Sequence, residues 1–165
     1  MPLVKNNNLS ELSTQYKETI KSWSLRILYD LKGYTMMNLR YGVDDYESLF
    51  ALFELHELYE KYEDERLSKK KFRKILKRLN KQDRHRDASV LVKGTLFENT
   101  QKLAQLLGLN SVEQALLSFG VLLHVSSELE EVSDILGSVS FHVASALRIL
   151  ARSSPNITAN ILLAT

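Results

Sequence analysis

Residues 68–86 read SKKKFRKILKRLNKQDRHR. Within them Phe72, Ile75, Leu76 and Leu79 fall at i, i+3, i+4 and i+7, the spacing that gathers apolar side chains on one face of an α-helix. Lys70, Lys74, Lys77 and Lys81 fall on the opposite face, flanked by Lys71, Arg73 and Arg78. Ser68 stands where a side-chain oxygen can cap the first turn. A helix built this way has to bury its stripe against other elements, so the reading of this stretch makes the fold a matter of helix packing.

Moving upstream, the same periodicity recurs. Leu12, Tyr16, Ile20, Trp23, Ile27 and Leu31 are spaced by three or four residues and predict one apolar stripe with Trp23 in the core. Gly33 follows where a C-terminal cap belongs. Residues 34–43 show no clear pattern, and Gly42 marks a turn. Asp44 with Glu47 three residues on resembles a capping box. Tyr46, Leu49, Phe50 and Phe53 form one stripe after it, and Leu52, Leu55, Tyr59 and Tyr62 a second, rotated one. That rotation predicts a bend or break near His56.

Downstream, the segment QDRHRDAS reads as a loop and as the internal boundary. It separates a charged helical lobe over residues 1–86 from a compact helical bundle over residues 87–165, unless the two form one domain. Leu96 to Leu107 predicts a helix closed by Gly108. Ser111 with Gln114 opens the next as a capping box. Ser127 opens a short acidic helix closed by Gly137, and Ser140 opens FHVASALRILAR, with Pro155 after it. Period-2 alternation appears only briefly, around ASVLVK. The expected fold is all-α, a multi-helix bundle.

Composition narrows the function classes. The 165 residues include no cysteine, so neither a disulfide framework nor a thiolate metal site can be built. The opening MPLVKNNNLSEL lacks the pattern of a secretory signal, and no uncharged apolar run approaches the roughly 18 residues of a membrane span; the expectation is a cytoplasmic protein with no membrane partner. The net charge of +2 conceals a sharp division. Residues 44–65 carry nine acids and one base, net −8, and residues 66–86 carry eleven bases and one acid, net +10. Segregated charge of this kind bears on association.

Catalytic patterns are missing. No Gly-rich turn leads into a Lys followed by Ser or Thr, so the chain holds no phosphate loop and is expected not to be an enzyme. HELYE, residues 56–60, shares its first His and Glu with a zinc-protease helix, but Glu60 occupies the place of the second metal-binding His, and the motif reads as a solvated acidic face. His124 and His142 lie in apolar helices and read as core or boundary residues. No metal ligand and no catalytic residue is assigned.

The basic face at Lys70, Lys71, Arg73, Lys74, Lys77, Arg78 and Lys81 is the candidate site. Three readings stay open for it. The acidic segment 44–65 can fold against it as an antiparallel hairpin and neutralise it. It can recognise a protein partner. It can hold nucleic-acid phosphates in a salt-sensitive, sequence-independent way; a face made mostly of Lys offers few groups that read base edges.

The stretch from Leu96 to His124, LFENTQKLAQLLGLNSVEQALLSFGVLLH, resembles a segment found ahead of the ATPase module in a group of bacterial AAA-family ATPases. The matching residues of its helix are Asn99, Leu103, Ala104, Leu107, Gly108 and Leu109, followed by Ser111; the family's acid falls one place early, at Glu113. SELEEVSDILG and SFHVASALRILAR follow in the family's order, with Ile149, Leu150 and Ala151 at its last element. The resemblance covers about residues 96–155. It implies an N-terminal accessory region of a cytoplasmic ATPase, one that recognises a protein partner or substrate or positions the motor. ATP and magnesium would bind only in a module downstream, and oligomers would form through that module. The apolar end, PNITANILLAT, together with the resemblance, predicts a natural chain that continues past Thr165.

Overall fold

The computed structural model describes residues 16–84 and 94–135, and within them the chain is all-α, with seven helices and no strand. The helices are α1 (Lys17–Leu25), α2 (Glu47–Leu52), α3 (His56–Tyr62), α4 (Lys69–Asp83), α5 (Thr95–Leu107), α6 (Ser111–Val125) and α7 (Ser127–Asp134).

Helix α1 is the axis of the bundle. The stripe expected from Tyr16, Ile20, Trp23 and Ile27 is buried. So are Thr19, Lys21, Ser22 and Ser24 on the remaining faces. From Thr19 to Leu25 the helix is enclosed, where an unpaired buried polar group costs about 1–3 kcal/mol; Ser24 Oγ is left without a partner among the described residues, while Lys21 and Ser22 find theirs. Lys21 runs its stem through the interior and bonds Glu54 at 3.1 Å. Ser22 donates to the buried Asp83 carboxylate at 2.7 Å. The helix then widens into a π-turn over Arg26–Asp30, closed by Leu31 N–H on the Arg26 carbonyl at 3.1 Å.

Several local signals resolve differently from their sequence reading. The left-handed residue after α1 is Lys32 (φ 61°), and Gly33 instead begins a 3-10 turn. Asp44 and Glu47 form no capping box: Asp44–Tyr46 is a 3-10 turn entered from Val43 without a side-chain cap. The box that does form lies one residue earlier than Ser111 and Gln114, since Asn110 accepts from Glu113 N–H and Glu113 reaches back to Asn110 N–H at 2.8 Å. Asn is at least as strong a cap as Ser, and Glu113 completes the pair. In the same way Ser126, not Ser127, caps α7. Gln82 and Asp83, read as loop, extend α4, because Asp83 is held inward by Ser22. The break expected near His56 is present: Glu54 takes φ 58° between α2 and α3. Gly108 closes α5 in the left-handed conformation as expected. The strand-like ASVLVK, the helix from Ser140, His142, Gly137 and the apolar end lie outside the described residues.

One buried cluster runs through these elements. Phe72 of α4 stacks on Phe50 of α2 at 5.7 Å between centroids, and Phe50 meets Tyr59 of α3 edge-on. Tyr16 meets Phe97 of α5 at 5.6 Å, and Trp23 meets Phe119 of α6 at 5.2 Å. Leu129 and Val132 of α7 complete it. Between α1 and α2, a looped segment is clipped to the stretch before α4: Val43 N–H donates to the Glu63 carbonyl, and Leu67 N–H to that of Leu39.

Candidate partner-binding surface

Helix α4 starts at Ser68, whose hydroxyl accepts from Lys71 N–H at 3.3 Å. Its first turn holds three lysines and no acid. Positive side chains at the positive end of a helix dipole weaken the helix, so the apolar stripe has to hold it in place. Phe72 and Leu76 are fully buried; a side chain of this size contributes roughly 1.5–3 kcal/mol when buried. Ile75 and Leu79 are half-buried. Toward the C-terminal end the inward face turns polar, with Asn80 and Asp83 buried and Asn80 reaching Asp30 at 3.4 Å.

Lys70, Lys71, Arg73, Lys74, Lys77, Arg78 and Lys81 are all exposed. Among the described residues, no ion pair joins any of them to a carboxylate. Residues 44–65 do pack beside α4, through Phe50 and Tyr62, but among the described residues none of their carboxylates forms an ion pair with its basic face. Glu54 turns away to Lys21 and Lys17, and its carboxyl is held below the ordinary glutamate value first by the Lys21 hydrogen bond and then by the charges around it. Desolvation pushes the half-buried Tyr59 phenol upward, and Glu63, Glu47, Asp44 and Asp64 add to the rise. The negative charge of that segment is thus felt at Tyr59. Besides the buried Phe50–Phe72 stack, the acidic segment meets α4 at Tyr62 of α3: the Lys71 ammonium donates to its hydroxyl and lies 4.6 Å from its ring centre.

Two depressions flank α4. The first, about 550 Å³, lies at its N-terminal end, where Arg40 and Arg66 join Lys69 and Lys70. Arg40 falls in the unpatterned stretch 34–43, and nothing in its spacing marks it as a neighbour of the basic run. The second, about 750 Å³, lies between α3 and α4.

The remaining candidates fall elsewhere. His56 and Glu60 are exposed on α3, in the acidic surface expected of HELYE. His124, expected at the core or its boundary, is exposed. Leu103, Leu106 and Leu107 of α5 are exposed as well, the first and last of them matching positions of the resembling segment. No helix among the described residues is long and apolar enough to cross a membrane, and no group of three or more His, Cys, Asp or Glu among them is placed to hold a metal ion. No protein-family model, no curated protein and no solved structure matches this chain.

Proposed function

We propose that this chain is a non-enzymatic recognition region, carried ahead of the ATPase module of an AAA-type cytoplasmic ATPase, that engages a protein partner or substrate through the surface around α4. The observation that carries the recognition reading is the basic face itself: seven exposed cations with no described carboxylate paired to them. Such a face is a ready source of electrostatic complementarity, which steers association and selects partners. The ATPase assignment rests on the resemblance of residues 96–155. In support of it, α5, the left-handed Gly108, α6 and the acidic α7 follow one another in that family's order. Catalysis, ATP and magnesium belong to the downstream module in this reading. The parent gene tests it: a GxxxxGK[ST] loop is expected beyond residue 165, and a stop codon directly after Thr165 would overturn the ATPase assignment.

The same seven cations favour a second reading, a nucleic-acid-binding helix. In the first reading, binding to mixed DNA and RNA at physiological salt stays in the non-specific range, about 10⁻⁴–10⁻⁶ M. Submicromolar binding, lost when Lys70, Lys74 and Lys77 are changed together to Glu, would establish the second.

A further inference from the structure

The depression between α3 and α4 has a floor and walls of different chemistry. Leu55, Leu58 and Ile75 form an apolar floor, all half-buried and open to solvent above. One wall, on α4, presents Lys71 and Arg78. They are seven residues apart, two turns of helix, with Ile75 between them on the same face. The other wall, on α3, presents Glu57 and Lys61. The depression thus runs alongside α4 for about 10 Å, the advance of seven helical residues.

We infer that this groove is the docking site for an amphipathic helix of a partner protein that carries its apolar stripe against Leu55, Leu58 and Ile75 and its acidic flank against Lys71 and Arg78. Charge complementarity selects the occupant. A helix that seats apolar anchors at i, i+3, i+4 and i+7 in a groove is a recurrent recognition mode, and here the floor supplies the apolar half. Lys71 and Arg78 supply the charged half. A phosphate backbone fits this groove poorly, since it has no apolar stripe to match the floor and would approach Glu57. The inference rests on the reading of the chain as a recognition region, and it names the partner class for that surface.

The separation of faces on α4 makes the idea testable. At about 100° per residue, Lys70 and Lys77 lie roughly a quarter turn or more from the line through Lys71, Ile75 and Arg78. The probe is a synthetic helical peptide with Leu at i, i+3, i+4, i+7 and i+11 and Glu along one flank, followed by fluorescence anisotropy. Its counterpart carries Lys in place of every Glu. The Glu peptide is expected to bind the protein, more weakly as salt rises, and the Lys peptide at least about tenfold less well. Lys71→Glu with Arg78→Glu is expected to weaken the Glu peptide at least about tenfold, and Ile75→Ala to weaken it at high salt, while Lys70→Glu with Lys77→Glu, on the same basic face but outside the groove, weakens it only about threefold through the loss of general charge attraction. Circular-dichroism melts verify that each variant folds. Equal loss in both double variants would mean diffuse charge attraction and overturn the groove. So would failure of the Glu peptide to bind, and so would tight DNA binding that depends on Lys71 and Arg78. A gene that ends at residue 165 would remove the ATPase assignment and leave peptide binding untouched, so the two failures are distinguishable.

Discussion

At Gly42 the chain has no room for a side chain. Its φ is 137°, and an ideal Cβ there would lie 1.9 Å from the Glu63 carbonyl oxygen. That carbonyl also accepts from Val43 N–H at 3.3 Å, so Gly42 sits where the looped segment is clipped to the approach of α4. Both steric overlap and backbone strain act against any substitution; Gly42→Ala is expected to lower stability by roughly 3 kcal/mol, measured by urea denaturation. Lys32 presents the opposite situation. It is exposed at φ 61°. A non-glycine residue there is disfavoured by about 1–2 kcal/mol, part of which glycine's extra unfolded-state freedom offsets. Lys32→Gly is expected to raise stability by up to about 1 kcal/mol in the same assay, and a loss would show that the lysine side chain contributes more than its backbone costs. The sequence pointed to a turn here through Gly33, the next residue. It had no means of choosing between neighbours, because the tertiary path, not the local preference, set which one turned left-handed. Glu54, at φ 58°, retains a charged side chain for a visible reason, its bond to the buried Lys21.

Among the elements, α7 carries the most exposed balance between burial and charge. Ser126 caps it, Leu129 and Val132 bury its inner face, and Glu131 accepts from Ser48 of α2. One Glu131 oxygen is buried without a hydrogen-bond partner. Burial raises the carboxyl above its ordinary value of 4.5, against the lowering effect of the Ser48 bond. A group whose folded-state value is raised stabilises the fold while protonated, and that contribution is lost as pH rises through the folded-state value. Glu131→Gln keeps the shape and removes the charge. It is expected to stabilise the protein at neutral pH by less than about 1 kcal/mol, a gain that fades as the pH falls to about 4.5 and below. A Gln variant that is less stable at neutral pH would show that the Ser48 bond requires the charged acceptor. Helix α4 shows how far an element can be read from sequence. Its stripe, its Ser68 cap and its exposed bases are local patterns and were legible. Its end was not, because Asp83 belongs to the helix through a partner 61 residues away, Ser22. How far residues 44–65 neutralise α4 also depended on side-chain placement that periodicity leaves open: among the described residues no carboxylate of that segment pairs with α4, and Glu54 bonds Lys21 instead.

Across the whole molecule, the difficulty for sequence reading was pairing. Periodicity identifies which face of a helix is buried but leaves open what covers it. Periodicity marks one apolar stripe on helix α1 and gives no sign that Thr19, Ser22 and Ser24, on its other sides, are buried as well, because polar residues do not announce burial. That enclosure is what links the two stretches on either side of residues 82–89. Trp23 of α1 packs on Phe119 of α6 and Tyr16 on Phe97 of α5, while Phe72 and Leu76 of α4 belong to the same buried cluster. Removing a ring from the Trp23–Phe119 pair therefore acts on both stretches at once. Phe119 is 5% exposed, and Phe119→Ala is expected to cost about 3–5 kcal/mol. Trp23 is the only tryptophan, so its fluorescence reports this contact directly. If the shared cluster makes the two stretches one cooperative unit, fluorescence and far-ultraviolet circular dichroism will follow the same unfolding curve in the native chain and, at lower denaturant, in the variant. Two separated transitions, with tryptophan changing first and most helix lost later, would mean that α5–α7 detach from a remaining core of α1–α4, and that the contacts across α1 are too weak to couple them.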